Sequence, residues 1–368
     1  MQSPKVIISG GGTGGHIFPA IAIANALKAK NVGTNILFVG AVGKMEMEKV
    51  PAAGYPIEGL RISGLQRSLS LKNLSFPFKL VGSLMKARKI IKKFKPDVVV
   101  GVGGYASAPI LRVAAGQGIP TLIQEQNSYA GVTNKWLGKK VSRICVAFDG
   151  MERFFPKEKL IMTGNPVRKE VVTLEGKRQR ALEHFQLEDG KQTILVVGGS
   201  LGARSINKGI HANLERIVAS GAQLIWQTGK HYINEATEAA APYKDKGVRV
   251  SEFISKMDYG YALADLVVSR AGAIAVSELC LTKKAVILVP FPHASEDHQT
   301  KNAMALVNHK AAILVKDGEV GEKLGDELIR LVENSEERET LSRNIAGLGI
   351  HDAAEIIANE VIKLIDRR

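Results

Sequence analysis

The sequence predicts an α/β protein made of two parallel-sheet halves, and three observations carry that reading. Short apolar, β-rich runs alternate with helical patterns along the whole chain, as in a parallel sheet with crossover helices. Two glycine-rich turns lie far apart, each entered from an apolar run and left through a helical pattern. The 368 residues suit two domains of ordinary size, each able to bury its own core.

In order along the chain, strands are predicted at 6–9, 36–39, 97–101, 121–124 and 143–147. The second half gives 193–197, 223–227, 248–251, 266–269 and 285–289. Between the halves, Asn165-Pro166 makes a hinge, because proline holds its predecessor in extended geometry. The expected domains are therefore 1–165 and 166–345. A terminal segment, 346–368, carries Ile357, Val361 and Leu364 at helical spacing and is expected to return to the first domain. An echo supports a repeated architecture: Pro96-Asp97-Val98-Val99-Val100 and Ala264-Asp265-Leu266-Val267-Val268 both lead into small-residue turns.

Composition narrows the class. The opening residues run straight into a strand, so no secretory leader is expected, and apolar runs such as 98–110 are too short and glycine-broken to span a bilayer. Cys145 and Cys280 lack motif spacing and suit the core of a protein in a reducing, cytosolic compartment. The net charge of +14 is one-sided: residues 1–166 hold 23 Lys and Arg against 8 Asp and Glu, leaving 50 − 23 = 27 against 36 − 8 = 28 for the rest. Such asymmetry points to a polyanion or an anionic membrane surface met by one domain.

The first turn is Gly10-Gly11-Gly12-Thr13-Gly14-Gly15-His16 and the second Gly198-Gly199-Ser200-Leu201-Gly202-Ala203-Arg204. Strand, bare backbone and helix start present amide N–H groups to an anion such as phosphate. The first turn satisfies the dinucleotide fingerprint formally, but the second strand ends Phe38-Val39-Gly40-Ala41-Val42 without the ribose-holding acid of a dinucleotide enzyme. Neither turn closes on Gly-Lys-Ser/Thr, which excludes a P-loop.

His16, where loop becomes helix, is either a polar residue near a helix start or a general base kept neutral there. Glu278 is either a solvated helix residue or a partly buried carboxylate accepting from two ribose hydroxyls. The stretch 290–299 offers two histidines and two acids but no common metal spacing, and no Asp-x-Asp occurs anywhere, so no metal or other cofactor is expected. Residues 72–95 hold eight Lys and Arg and no acid. Leu80, Leu84, Ala87, Ile91 and Phe94 form one helical face, and Phe76 and Phe78 flank Pro77. This is either a crossover helix with a solvated basic face or an apolar tip ringed by cations that suits anionic lipid. No RNA-binding signature or recognition-helix pattern accompanies it, so no nucleic-acid partner is expected.

Together these residues resemble the MurG family, the UDP-N-acetylglucosamine transferases that convert lipid I to lipid II in bacterial peptidoglycan synthesis. The likeness runs nearly end to end. It includes Gly11 to His16, Arg61-Ile62-Ser63-Gly64-Leu65, Gly103-Gly104-Tyr105, Glu125-Gln126-Asn127 and Thr133-Asn134-Lys135-Trp136-Leu137. It continues through Gly164-Asn165-Pro166-Val167-Arg168, Gly198-Gly199-Ser200, Arg270-Ala271-Gly272-Ala273, Val276-Ser277-Glu278 and Gln299-x-x-Asn302-Ala303. The resemblance implies a GT-B glycosyltransferase fold, two Rossmann-like domains facing across a cleft. It also implies an inverting transfer with a β-1,4 product.

By resemblance, Arg168 and Ile254 lie by the uracil, Ser200 by the diphosphate, Glu278 on the ribose and Gln299 on the sugar. Ala273, Ile274, Ala275, Val276 and Ser277 form the helix start facing the nucleotide, and Thr13, Gly14, Gly15 and Asn127 approach the donor from the first domain. Gly12, Gly103, Gly104, Tyr105 and Asn134 face the acceptor, and His16 is the leading general base. The implied partners are UDP-N-acetylglucosamine, lipid I, an anionic membrane surface, and wall-synthesis and division proteins. The implied location is peripheral, on the cytoplasmic face of the bacterial cell membrane. A sugar-nucleotide-binding scaffold, a UDP-GlcNAc epimerase or a transferase with another lipid acceptor remain alternatives. The basic-apolar segment favours a lipid acceptor.

Overall fold

Val6, Ile7 and Ile8 lose all contact with solvent, and so do Val98, Val99 and Val100. Runs of this kind, apolar on both faces, belong to the centre of a parallel sheet covered by helices on each side. In the computed structural model, which describes residues 3–62 and 76–367, they form its two central strands. The first sheet contains β1 (Lys5–Gly10), β2 (Asn35–Ala41), β3 (Ile57–Leu60), β4 (Val98–Gly103), β5 (Thr121–Glu125), β6 (Arg143–Val146) and β7 (Leu160–Met162), in the spatial order β3-β2-β1-β4-β5-β6-β7. The second contains β8 (Thr193–Val197), β9 (Gln223–Gln227), β10 (Val248–Ser251), β11 (Leu266–Ser269), β12 (Ala285–Leu288) and β13 (Ile313–Leu314), ordered β10-β9-β8-β11-β12-β13. Every pairing is parallel. Two Rossmann-like domains result.

The ten runs read from the sequence each fall in a strand, to within two residues at either end. Three edge strands, β3, β7 and β13, were not expected. They have two to four residues and are only partly buried, so pairing with a neighbour defines them rather than any apolar pattern. The repeated Asp before β4 and β11 has a structural cause. Asp97 accepts the backbone N–H of Lys5 at 2.8 Å, and Asp265 accepts that of Thr193 at 2.8 Å. Each carboxylate fixes where the first strand of its sheet begins against the fourth.

By its contacts the chain divides into Met1–Val167 with His351–Arg368, and Arg168–Ile350. Asn165 is buried in the first unit: its Oδ1 accepts from Gln124 Nε2 and its Nδ2 donates to the Gln126 carbonyl, both at 2.9 Å. The helix Ala353–Asp366 buries Ile357, Ala358, Val361 and Leu364 in the cluster formed by Ile17, Ala20, Ile23 and Leu27 of the helix Gly14–Lys30. Val361 has no exposed surface. Replacing Val361 by Asp buries an unpaired charge there and should destabilise the first unit by about 3 kcal/mol or more. Hydrogen exchange read by mass spectrometry should show protection lost across β1 and β4 and retained across β8 and β11.

Candidate active site

In both sheets the order reverses beside the first strand, between β1 and β4 and between β8 and β11. Crossovers leave in opposite directions at such a point, and the loops at the strand ends part to leave a crevice for ligand. Each glycine turn follows the first of those strands, and the loop after the second faces it.

In the first unit, the turn after β1 meets the end of β4 backbone to backbone. Gly11 N donates to the Gly103 carbonyl at 3.3 Å. Gly104 has φ +88°, and a Cβ there would overlap the Gly11 carbonyl. Gly103 has φ +104°, and its Cβ would stand 2.8 Å from His16 Nε2. Bare backbone is thus what lets the imidazole lie against the end of β4.

His16 is the third residue of the helix Gly14–Lys30, whose N-cap, Thr13, makes no side-chain capping bond. The N–H groups of Gly14 and Gly15 therefore belong to a first turn without intrahelical partners. His16 Nδ1 lies 2.9 Å from the Gly11 carbonyl. A carbonyl only accepts, so Nδ1 carries the proton and the lone pair of the neutral ring is on Nε2. Tyr105 is half exposed.

Two buried carboxylates that sequence reasoning passed over organise this unit. Glu46 is 1% exposed; its Oε2 accepts from Gly12 N at 2.8 Å and its Oε1 from Ala41 N at 2.9 Å. An acid does stand at the end of β2, then, but it comes from the following helix and turns inward to the loop. The Gly12 amide is consumed by that contact, so Gly12 offers a ligand bare backbone rather than its N–H. Glu125, also 1% exposed, accepts from Asn127 N at 3.0 Å, Gly131 N at 3.0 Å and Asn134 Nδ2 at 2.9 Å. Asn134 is buried, and its Oδ1 has no hydrogen-bond partner among the described residues. A buried acceptor left open is costly.

In the second unit the glycine turn is packed just as tightly. Gly202 has φ +77°, and its Cβ would overlap the Thr228 carbonyl; Gly229 has φ +73°, and its Cβ would overlap that of Leu201. Gln227, another residue the sequence did not single out, donates from Nε2 to the Gly199 carbonyl at 2.9 Å and accepts from Ile254 N at 2.9 Å. One side chain therefore ties the turn, with its exposed Ser200, to Ile254. Ile254 is 4% exposed, and its backbone N–H is the one that Gln227 holds.

Opposite the turn, Gly272 caps the helix Ala273–Thr282. Ala273, Ile274 and Ala275 present the first-turn amides, while the Val276 side chain is core and Ser277 Oγ donates back to the Ala273 carbonyl at 3.0 Å. Glu278 lies one and a half turns in, buried, with Oε2 accepting from Tyr261 Oη at 3.1 Å. Burial pushes its carboxyl above the usual range, opposed by the charge of Arg168 and by the tyrosine hydrogen bond. Tyr261, fully buried, is itself pushed well up by desolvation and by the facing carboxylate. The exposed Arg168 is thus brought to act on Glu278.

Gln299 Oε1 accepts from Phe291 N at 3.0 Å. Arg270 pins the same loop, donating to the Val289 and Pro290 carbonyls at 3.1 Å and pairing with Asp317 at 2.6 Å. His298 Nδ1 is 2.6 Å from the Ser295 carbonyl, and among the described residues no group of three His, Cys, Asp or Glu gathers as a metal site.

The basic segment forms the helix Phe76–Phe94. Lys72, Ser63-Gly64-Leu65 and the Phe76 side chain lie outside the described residues. The face carrying Ala87 and Ile91 packs on the core, with Leu84 and Phe94 against its edge. A second stripe is open to solvent: Phe78, of the tip read from the sequence, is 80% exposed, and Val81 and Met85, which that reading did not include, are more than half exposed. Their spacing of three and four residues continues into Lys89 and Lys92, which are exposed. Lys86 is engaged instead, donating to the Gly59 carbonyl at 2.6 Å beside Glu58. No helix among the described residues is long and apolar enough to cross a membrane.

Comparison with known proteins gives a consistent picture. The glycosyltransferase family 28 N-terminal domain matches residues 6–146, and the family's C-terminal domain matches residues 193–357. A protein of Phocaeicola vulgatus named UDP-N-acetylglucosamine--N-acetylmuramyl-(pentapeptide) pyrophosphoryl-undecaprenol N-acetylglucosamine transferase is 57% identical over 367 residues, covering 100% of this chain and 98% of its own. The crystal structure of Acinetobacter baumannii MurG superposes with a TM-score of 0.80 at 28% identity, covering 98% of this chain and 99% of that one. A UDP-GlcNAc 2-epimerase from Neisseria meningitidis bound to UDP-GlcNAc matches at a TM-score of 0.66 and 16% identity, covering 98% of this chain and 100% of that one; this likeness shows the fold alone.

Proposed function

The chain belongs to glycosyltransferase family 28, and from that premise we propose that it moves N-acetylglucosamine from UDP-N-acetylglucosamine to the muramyl 4-hydroxyl of lipid I, forming lipid II. The observation that carries this reading is the 57% identity to a relative so named, spread over the whole of this chain. A scaffold that only bound a sugar nucleotide would have no need of the geometry around His16.

The reaction is a single displacement with inversion. The acceptor 4-hydroxyl oxygen bonds to C1 of the donor sugar as the bond from C1 to the diphosphate oxygen breaks, giving a β-1,4 linkage and UDP. His16 Nε2 takes the hydroxyl proton, while the Gly11 carbonyl holds the ring in the tautomer that leaves that nitrogen basic. Negative charge growing on the leaving diphosphate is stabilised by the Ser200 turn and by the helix start at Ala273, Ile274 and Ala275, whose dipoles are fixed beforehand. Glu278 accepts from the ribose hydroxyls through the carboxylate that Tyr261 steadies. Arg168 and Ile254 flank the base, and Gln299 meets the sugar. In the first unit Gly103, Gly104, Tyr105 and Asn134 meet the acceptor, with the Gly14 and Gly15 amides beside them.

Lipid I is anchored in a bilayer, so the enzyme docks on the cytoplasmic face of the bacterial cell membrane. The Phe78-Val81-Met85 stripe with its flanking lysines supports this.

Given UDP-N-acetylglucosamine and lipid I, the purified protein should release UDP and form lipid II. His16→Ala should lower kcat by about 10²- to 10⁴-fold with UDP affinity retained; full turnover in that variant removes the role of His16. UDP binding should also titrate. The carboxyl of Glu278 is raised, so its acceptor form is lost as pH falls through a range above the ordinary glutamate value, and affinity should fall with it. Tyr261→Phe removes a contact that lowers this pKa, so calorimetry should place the loss at higher pH than in wild type, and Glu278→Gln should flatten the profile. On liposomes, sedimentation should rise with anionic lipid content. Reversing Lys79, Lys89 and Lys92 to Glu should abolish that rise, each cation being worth about 1 kcal/mol; unchanged binding would overturn the docking surface.

A further inference from the structure

The first glycine turn carries a buried carboxylate for which the transfer reaction itself has no use. Glu46 is 1% exposed, begins the helix Glu46–Ala52, and spends each oxygen on a different backbone N–H. One belongs to Gly12, in the turn after β1; the other belongs to Ala41, at the end of β2. The space it fills is built for it. A Cβ on Gly11 would overlap the carboxylate, and a Cβ on Gly40 would fall 2.5 Å from Glu46 Cγ. Two glycines, one in the turn after β1 and one near the end of β2, therefore make room for this one side chain.

The consequence reaches His16. Gly11 lies between Glu46 and the imidazole: its Cα side faces the carboxylate, and its carbonyl accepts from His16 Nδ1 at 2.9 Å. The direction of that carbonyl is set by the peptide joining Gly11 to Gly12, and the N–H at the other end of the same peptide is the one Glu46 holds. A peptide is planar, so its C=O and N–H turn as one unit. Fixing the Gly12 N–H fixes the Gly11 carbonyl, and through it the tautomer and orientation of the ring.

We propose that Glu46 is a positioning residue for His16, acting through the Gly11–Gly12 peptide. It reaches neither substrate. The proposal rests on the reading of His16 as general base only for its kinetic consequence, because the effect on the ring is independent of what the ring does. A carboxylate suits the task because it accepts two N–H groups at once; the amide of glutamine offers one oxygen and turns an NH₂ toward the other donor.

The test combines a spectrum with kinetics. In wild type, the imidazole ¹⁵N spectrum of His16, assigned by its absence in His16→Ala, should show the neutral ring protonated on Nδ1. Glu46→Gln should give a mixture of tautomers, lower kcat by about tenfold to a hundredfold, and leave KM for UDP-N-acetylglucosamine within about twofold. In a His16→Ala background the same change should cost less than about twofold, since residues acting as one unit are not additive. Should Glu46→Gln melt before it can be assayed, Glu46→Asp, which keeps the charge but falls one methylene short, serves in its place with the same expected direction. An unaltered His16 spectrum in a folded Glu46 variant overturns the proposal, and so does an equal loss of kcat in both backgrounds. Full turnover in His16→Ala, with the spectrum still responding to Glu46, would instead remove the general-base reading and leave the positioning role standing.

Discussion

Beside both glycine turns backbone lies directly on backbone, and no side chain fits between. Gly104 rests on the Gly11 carbonyl in the first unit; Gly202 and Gly229 rest on the carbonyls of Thr228 and Leu201 in the second. Most of the site geometry follows from this. Peptide groups brought this close concentrate N–H and C=O dipoles in a space a single Cβ would occupy, which gives a protein strong electrostatic leverage without a formal charge. The positive φ at Gly103, Gly104, Gly202 and Gly229 is a second reason these positions tolerate only glycine.

The two turns solve the same packing problem with opposite polarity. In the first, the tie is a carboxylate that accepts the Gly12 N–H, so part of the anion-binding capacity of the turn is already satisfied from inside the protein. In the second, the tie is the Gln227 amide, which donates to the Gly199 carbonyl. Gly202 N donates to the same carbonyl at 2.9 Å, so the second turn is held through an acceptor. The first turn is organised instead around the imidazole that its Gly11 carbonyl directs.

How much of this the sequence discloses depends on the range of the interaction. The parallel sheets were legible because their strands are apolar on both faces, a pattern that survives without knowledge of neighbours. The glycine turns were legible because bare backbone between strand and helix has few other uses. Glu46, Gln227 and Tyr261 were not. A glutamate after Gly43-Lys44-Met45 reads as a helix start, and only the fold shows its carboxylate under the end of β2. Gln227 ends a strand and Tyr261 sits in a short helix; their partners, Gly199 and Glu278, are 28 and 17 residues away. The continuation of the apolar tip at Phe78 into an exposed stripe with Val81 and Met85 was missed for another reason. Phe78, Val81 and Met85 have ordinary helical spacing, and spacing alone does not tell which of two apolar stripes faces the core.

The positive charge of the first half sharpens once its acids are located. Only eight Asp and Glu occur in residues 1–166. Glu46 and Glu125 are inside, each surrounded by N–H donors; Asp97 is bonded to the start of β1; Glu58 stands beside Lys86. With Glu48, which pairs with Lys49 at 2.9 Å, five of the eight acids are thus committed to holding backbone or a neighbouring lysine, where local dipoles and two ammonium groups offset them. Few are left to interrupt the field of the lysines on the outer face of the helix Phe76–Phe94. Organising the loops with buried carboxylates and presenting a cationic surface are therefore one arrangement of the same few acids, because each carboxylate drawn inward to fix a loop is absent from the outside.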